Sequence, residues 1–267
     1  MISEMLSYDF IQRAFLGGVL VSLCAALLGV SLVLKRYSMI GDGLSHVSFG
    51  ALSIAIACGI APLKFAIPVV IVAAFLLLRL AENGKMRSDA AIAMVSASSL
   101  AIGVIVTSLT TGLSTDIYSY MFGSILAMSK DDVVVSGLLS VIVIIMFVAC
   151  YHKIFAVTFD ENFSKATGVK VGMYNTLISI FTTITIVVGI KMMGAMLISS
   201  LIVFPSLTSM RIFKSFKSVT ICSAILSVVN FTIGLICSYG FSIPAGASVV
   251  VANLIMYIIF AIVAKVK

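Results

Sequence analysis

An aspartate and a histidine lie four residues apart at the start of an otherwise apolar stretch. They are Asp42 and His46, within the run YSMIGDGLSHVSFG at residues 37–50. On a helix this spacing places both side chains on one face, one turn apart, so that a carboxylate oxygen and an imidazole nitrogen can meet the same ion. Because calcium and magnesium prefer all-oxygen shells and monovalent copper prefers sulfur ligands, the pair favours manganese, iron or zinc.

One such pair supplies too few ligands to hold an ion firmly. A second copy of the chain, meeting the first at this helix, would double the set to two carboxylates and two imidazoles, and such a site could still release its ion. The same helical face continues through Gly50 and Ser53, which leave room for a narrow path or for a close helix neighbour. We therefore predict Asp42 and His46 as metal ligands and Gly50 and Ser53 as residues that line the path.

Two other interpretations of these residues remain open. Asp42 follows the basic pair Lys35–Arg36 by six residues, so it could cap a helix at the membrane boundary, with His46 bonded to a nearby carbonyl. Against this, an ionisable residue within a bilayer costs about 2.5–3.5 kcal/mol on insertion scales, so it normally faces the bundle interior and marks a pathway. Copper is a rival because the chain has fourteen methionines, although methionines in apolar helices usually fill packing gaps. They include Met192, Met193 and Met196.

The composition places these residues in a membrane protein. Apolar residues make up 61% of the chain and charged residues 10%, against about 45–50% and about 25% in soluble domains. A bilayer accepts an apolar exterior but requires each crossing segment to satisfy its own backbone as a helix. We predict an all-α, polytopic membrane protein with a single transmembrane domain over residues 1–267. The net charge of +7 is dispersed through the loops, so no nucleic-acid partner is expected, and the five cysteines form no C-x-x-C pair.

Nine apolar stretches approach the length of about twenty residues that spans a bilayer, and we predict eight or nine crossings. Thirteen of the seventeen Lys and Arg residues fall in alternate loops, which marks those loops as cytoplasmic. With nine crossings, the N-terminus lies outside and the C-terminus in the cytoplasm. The predicted crossings are Ala14–Leu34, Ser38–Ile60, Leu63–Leu80, Ala90–Leu109, Val133–Tyr151, Asn175–Ile190, Gly194–Met210, Val219–Ser238 and Ala245–Ala264.

Two connecting stretches are long enough to have a function. By this topology, residues 110–132 form an external loop and residues 152–173 a cytoplasmic one. The cytoplasmic stretch predicts a short helix from Glu161 to Thr167 that stops at Gly168. Such a helix could pass a motion to a soluble partner, and an ordinary solvated connector is the alternative. The ATP-binding motif GxxxxGK[ST] is absent from the sequence, so any ATP must be hydrolysed by another chain.

Four motifs, in this order, resemble the permease family of the ATP-binding-cassette importers for zinc, manganese and iron. The first is GDGLSHVSFG at residues 41–50, close to the family's GDALSH pattern with Gly43 in place of alanine. The others are FGSIL at 122–126, GAMLISSLIVFPS at 194–206 and SYGFSIPAGASVVV at 238–251. In the cytoplasmic loop, ENFSKATGV at 161–169 resembles the segment through which such permeases contact their ATPases, with Thr167 where leucine is usual.

The resemblance implies a permease homodimer in the bacterial plasma membrane, with a cytoplasmic ATPase dimer and an extracellular metal-binding protein that delivers the ion. It also implies that Asp42 and His46 line the translocation path well inside the membrane. No permanently bound cofactor is expected, since the divalent metal is the cargo. The residues that correspond to the ATPase-contacting segment are Glu161, Lys165, Ala166 and Gly168.

Other functions remain open at this point. A permease of a related type could carry a metal chelate or corrinoid, which would need a wide path and no ligand role for His46. A carrier driven by an ion gradient would need no ATPase. Such carriers usually show ionisable residues in several helices and broken helices in repeated halves, whereas this sequence shows one ionisable cluster and no convincing repeat. A membrane scaffold without transport activity is the remaining alternative.

Overall fold

The computed structural model describes residues 7–82, 88–110 and 129–266 of the chain. These residues are almost entirely helical and none of them forms a strand, which confirms the predicted all-α class. Eleven helices occur among them. In chain order they are α1 Asp9–Leu34, α2 Ile40–Ala57, α3 Pro62–Glu82, α4 Ser88–Leu109, α5 Lys130–Ala149, α6 Tyr151–Phe159, α7 Glu161–Ala166, α8 Val171–Met193, α9 Ala195–Ile212, α10 Phe216–Phe241 and α11 Ala245–Val266.

Each of the nine predicted crossings coincides with one long helix. By length and composition, seven helices in the described part of the chain are able to cross a bilayer, and α5 with α6 makes an eighth span if this pair, bent by 72°, is counted as one. The remaining predicted crossing corresponds to α3, which contains Pro68 and has a shorter apolar part, Lys64–Leu77. The protein is therefore a multi-pass membrane protein, and its described part has seven or eight spans by this measure where eight or nine are predicted. The orientation of the helices stays a prediction.

Helices α1 and α2 lie at the centre of the bundle. Of the most apolar stretch of each helix, 67% is buried in α1 and 72% in α2, but only 17% in α4 and 17% in α11. Helix α1 packs against α5, α8, α9 and α10, and α2 packs against α3, α4 and α9. The outer helices expose large apolar side chains such as Leu109 and Val148, which suits a surface that faces lipid. The helix that carries Asp42 and His46 is thus one of the most enclosed elements of the fold.

Glycines allow the central helices to approach closely. A Cβ atom added at Gly29 of α1 would lie 2.2 Å from the carbonyl oxygen of Ile202 in α9, and one added at Gly18 would meet the ring of Phe231 in α10. Lipid tails are as apolar as leucine, so helices in a bilayer gain little from hydrophobic burial against each other. They associate through close van der Waals packing, which small residues permit.

A chain of buried polar side chains joins α9, α10 and α11. The amide nitrogen of Asn230 donates to the amide oxygen of Asn253 at 2.7 Å, and the amide nitrogen of Asn253 donates to the hydroxyl of Ser200 at 3.3 Å. Both asparagines are essentially inaccessible to solvent. Hydrogen bonds of this kind between membrane helices are worth about 0.6 kcal/mol on average. The chain of polar groups therefore holds these three helices in a defined register.

Candidate metal site and coupling segment

The corner between α1 and α2 places the site helix. Lys35 follows the last residue of α1, and Arg36 adopts the left-handed conformation with φ +63°. The amide of Tyr37 then donates to the carbonyl of Leu32 at 2.8 Å, and the amide of Arg36 donates to the carbonyl of Val33 at 3.1 Å. These are the two bonds of a Schellman helix end, with arginine in the position that glycine usually takes. Helix α2 starts only four residues after this corner.

Asp42 and His46 lie side by side in the first two turns of α2. The Nε2 atom of His46 is 3.7 Å from the Oδ2 atom of Asp42. This is longer than a hydrogen bond, so the distance leaves both atoms available to a third partner. Two ligand atoms bound to one zinc ion in tetrahedral geometry are about 3.4 Å apart, given metal–ligand distances of about 2.0–2.2 Å. The spacing therefore fits one shared ion with a small adjustment.

The pair is the most accessible part of this stretch of α2. The side chain of Asp42 is 48% exposed and that of His46 is 24% exposed, whereas Gly41, Gly43 and Leu44 beside them are buried. Within residues 7–82, 88–110 and 129–266, no group of three or more His, Cys, Asp or Glu side chains is placed to hold a metal ion. The described part of one chain thus presents two ligands at its surface.

The capping alternative for Asp42 does not match the helix end. The N-cap residue of α2 is Met39, whose side chain makes no capping hydrogen bond. Asp42 stands three residues further, in the first turn, where a negative charge interacts favourably with the helix dipole by about 0.3–1 kcal/mol. In the part of the chain that the structure covers, His46 has no carbonyl partner, and its ionic contact is with Asp42.

Gly43 and Gly50 form the contact between α2 and α4. A Cβ atom at Gly50 would lie 2.7 Å from the carbonyl oxygen of Ser99, and one at Gly43 would lie 2.6 Å from a methyl group of Ile92. Ser53 is buried and its hydroxyl donates to the carbonyl of Phe49 at 2.9 Å. Of the two sequence-based interpretations of Gly50, the geometry favours a close helix neighbour. The path-lining role of Gly50 and Ser53 stays a prediction.

Two of the three methionines named as possible copper ligands are packed in the apolar core. Met192 and Met193 are buried in the main apolar core, while Met196 is half exposed. Thioethers that pack among aliphatic side chains in this way fill space.

The segment predicted to be cytoplasmic contains the predicted short helix. The carboxylate of Asp160 caps α7 by accepting from the amide of Phe163 at 2.9 Å. Gly168 follows the helix with φ +80°, and the amide of Val169 donates to the carbonyl of Ser164 at 2.9 Å. Both termini therefore follow from local residue types, an acidic N-cap and a glycine after the C-cap.

The four residues predicted to contact the ATPase do not all face outward. Lys165, Ala166 and Gly168 are exposed, but Glu161 turns toward the bundle. Its Oε1 atom lies 2.8 Å from Nζ of Lys35 and accepts from the amide nitrogen of Asn175 at 3.0 Å. Partial burial by itself would raise the pKa of Glu161. The hydrogen bonds from Lys35 and Asn175 and the charges of Lys35 and Lys165 outweigh burial and hold the pKa below its ordinary value.

Sequence reasoning missed the partners of Glu161. The sequence identifies Lys35 only as a charge in a predicted cytoplasmic loop and Asn175 only as the start of a predicted crossing. The two partners are separated from each other by 140 positions, and Lys35 and Glu161 by 126, so no local pattern relates them.

An exposed aromatic cluster borders the same segment. The rings of Phe155 and Phe159 of α6 pack at a tilt of 48° with centroids 4.9 Å apart, and the ring centroid of Phe155 lies 5.4 Å from that of Phe216 of α10. Phe159 is 57% exposed, and Phe163 on α7 is 64% exposed. Such a patch beside a helix in a predicted cytoplasmic loop is suited to a protein partner. The FGSIL motif at residues 122–126, and most of the predicted external loop at 110–132, lie outside the described residues.

Comparison with known proteins gives a consistent result. Residues 7–264 match the ABC 3 transport family. The high-affinity zinc uptake system membrane protein ZnuB of Buchnera aphidicola is 30% identical over 247 residues, which cover 92% of this chain and 94% of that protein. The manganese import system permease protein ScaB of Streptococcus gordonii is 27% identical over 252 residues, covering 94% and 90%. PsaBC from Streptococcus pneumoniae, solved in complex with Fab, superposes with a TM-score of 0.84 at 26% identity, over 97% of this chain and 95% of that one.

Proposed function

Because this chain belongs to the ABC 3 transport family, we propose that it is the permease subunit of an ATP-binding-cassette importer that moves manganese, zinc or iron into the cytoplasm. Its relatives are named for manganese import and for zinc uptake, which supports a divalent metal as cargo. Their identities to this chain are similar, so relatedness does not choose between the metals. The observation on this chain that carries the proposal is the Asp42–His46 pair, with its ligand atoms 3.7 Å apart on one helix.

The working unit is a homodimer. A half-exposed carboxylate on a membrane helix is costly if it faces lipid, because charged side chains near the bilayer centre carry a penalty of about 2.5–3.5 kcal/mol. A second copy of the chain that covers the pair removes this exposure. It also brings two carboxylates and two imidazoles to one ion, and both ligand types suit manganese, iron and zinc.

Transport proceeds by alternating access between the two sides of the membrane. The ion is delivered by an extracellular metal-binding protein and pauses between the Asp42–His46 pairs of the two subunits. Hydrolysis of ATP by a cytoplasmic ATPase dimer then reorients the helices and releases the ion inside. The ATPase docks on the segment formed by α6 and α7, where exposed aromatic and basic side chains adjoin Gly168.

Uptake by the assembled importer in proteoliposomes tests this function. The double variant Asp42→Asn and His46→Gln keeps side-chain size but removes a charge and an imidazole. We expect metal uptake to fall by at least about tenfold, since even changes outside the first ligand shell cost about 10–100-fold in metal affinity. The matched control is Met39→Leu, a similar-sized apolar change at a half-exposed position one turn before Asp42. The control should transport at the parental rate.

Two results would contradict the proposal. If the double variant assembles with its ATPase and still imports the bare ion as fast as the parent, the pair is not on the path. If the parent imports a metal chelate or corrinoid but not the bare ion, the cargo is of the larger class.

A further inference from the structure

Three polar side chains from distant parts of the sequence meet at one end of the bundle. The Nζ atom of Lys35 donates to Oε1 of Glu161 at 2.8 Å and to Oδ1 of Asn175 at 2.5 Å. The amide nitrogen of Asn175 donates to the same Glu161 oxygen at 3.0 Å. The contacts close a triangle between the end of α1, the first residue of α7 and the first turns of α8. We call these three residues the clasp.

The clasp is stable because the largely buried ammonium group of Lys35 needs both of its partners. The side chain of Lys35 is only 9% exposed, so its ammonium group depends on Glu161 and Asn175 for the interactions that water would otherwise give. The Glu161 side chain is 39% exposed, so the pair is partly buried, and removal of Glu161 leaves the enclosed ammonium group of Lys35 without its counter-charge. Separation of α7 from α1 is therefore unfavourable, and the two elements are expected to move together.

Lys35 also adjoins the helix that carries the metal ligands. It is the C-cap residue of α1, and the Schellman bonds of Arg36 and Tyr37 fix the corner that follows. Asp42 is seven residues beyond Lys35 along the chain. A displacement of Lys35 is thus passed through a short, hydrogen-bonded corner to the start of α2.

We propose that the clasp transmits the movement of α7 to α2, which makes Lys35 a positioning residue that couples ATP hydrolysis to metal movement. This inference rests on the proposed function, because it assigns the driving movement to an ATPase bound at α7. It requires neither a contact between Lys35 and the ion nor one between Lys35 and the ATPase. A purely structural brace would lower the stability of the protein without changing the number of ions moved per ATP.

The ratio of metal ions imported to ATP hydrolysed separates these roles. We expect Lys35→Met, in the complete importer in proteoliposomes, to lower this ratio by about 2- to 30-fold, the range for residues that modulate coupling between sites. The charge-swapped double variant, Lys35→Glu with Glu161→Lys, should have a higher ratio than Lys35→Met, because it restores opposite charges across the contact. The matched control is Lys214→Met, which removes an exposed lysine from another predicted cytoplasmic loop and should leave the ratio unchanged.

A second readout does not depend on the cargo. Hydrogen–deuterium exchange of the peptide at residues 36–50, measured with and without a non-hydrolysable ATP analogue, reports whether nucleotide binding reaches the site helix. We expect a nucleotide-dependent change in the parent and in Lys214→Met, and its loss in Lys35→Met. If Lys35→Met does not assemble, Asn175→Ala removes a single acceptor of the Lys35 ammonium and should weaken the response in the same direction.

The outcomes distinguish the clasp from the proposed function. A parent protein that imports no divalent metal contradicts the proposed function, while the hydrogen–deuterium exchange experiment still tests the clasp. A Lys35→Met importer with the parental ratio of ions to ATP and the parental exchange response overturns the clasp and leaves the proposed function standing. A loss of the ratio that is equally large in Lys214→Met also overturns it.

Discussion

Substitution of Gly50 by alanine tests whether the site helix depends on close packing against α4. The added Cβ atom would lie 2.7 Å from the backbone carbonyl oxygen of Ser99, where ordinary contact begins at 3.4 Å, so the two helices must separate by about 0.7 Å. Gly103 of α4 faces the same crossing, with its own added Cβ only 3.1 Å from the Cα of Gly50. The atoms nearest to the Cβ added at Gly50 all belong to the backbone of Ser99, so no side chain can rotate away to relieve the contact.

We expect Gly50→Ala to lower the free energy of unfolding by about 1–3 kcal/mol, the usual cost of an overpacked core. The assay is reversible unfolding in mixed micelles, followed by the loss of helical circular dichroism. The matched control is Gly137→Ala in α5, where an added Cβ meets no atom of the described residues within 4 Å. That change should stabilise the protein by up to about 1 kcal/mol, because alanine is the better helix former. If Gly50→Ala is as stable as Gly137→Ala, the packing argument for α2 and α4 is wrong.

Three further predictions concern the bundle interior, the clasp and the topology. Asn253→Ala removes two buried hydrogen bonds and should lower the free energy of unfolding in micelles by about 1 kcal/mol; an unchanged value would show that these bonds contribute nothing. Since its pKa is lowered in the folded protein, Glu161 should stabilise the fold fully above the ordinary carboxyl pKa of about 4.3. The stability difference between the parent and Glu161→Gln should therefore be constant from neutral pH down to that value and disappear below the lowered pKa; a difference already lost near pH 6 would contradict it. Cys58 is exposed at the end of α2 that faces outside by the predicted topology, so an impermeant maleimide should label it on intact cells, and labelling only after permeabilisation would invert the orientation.

Much of the fold could be predicted because the bilayer imposes simple rules. Segment length and apolar content predict all nine long helices in the described part of the chain, since a backbone that crosses lipid has no other way to satisfy its hydrogen bonds. The bounds were less accurate where polar residues continue a helix beyond its apolar part. The crossing expected at Asn175–Ile190, for example, is helical over Val171–Met193. Hydropathy detects the part of a helix within the hydrocarbon and misses the turns beyond it.

In the candidate site, some features depend on residues that are neighbours in the sequence and others on residues that are far apart in it. The spacing of Asp42 and His46 and the ends of α7 depend on neighbouring residues, so the sequence was sufficient to predict them. The inward turn of Glu161 could not be predicted, because its partners Lys35 and Asn175 reach it only through the packing of three helices. The glycine at position 50 was ambiguous for a related reason. A small residue on a membrane helix serves a path or a neighbour equally well until the neighbour is placed.

The most direct test of the account is the number and nature of the ligands around a bound metal ion. Purified protein should bind one manganese or zinc ion per two chains, and X-ray absorption of the bound ion should show both oxygen and imidazole nitrogen in its first shell. Binding should be lost in the double variant Asp42→Asn and His46→Gln and kept in Met39→Leu. An ion bound with the same stoichiometry and the same ligand shell in the double variant would contradict the central claim that this pair, contributed by two copies of the chain, holds the metal.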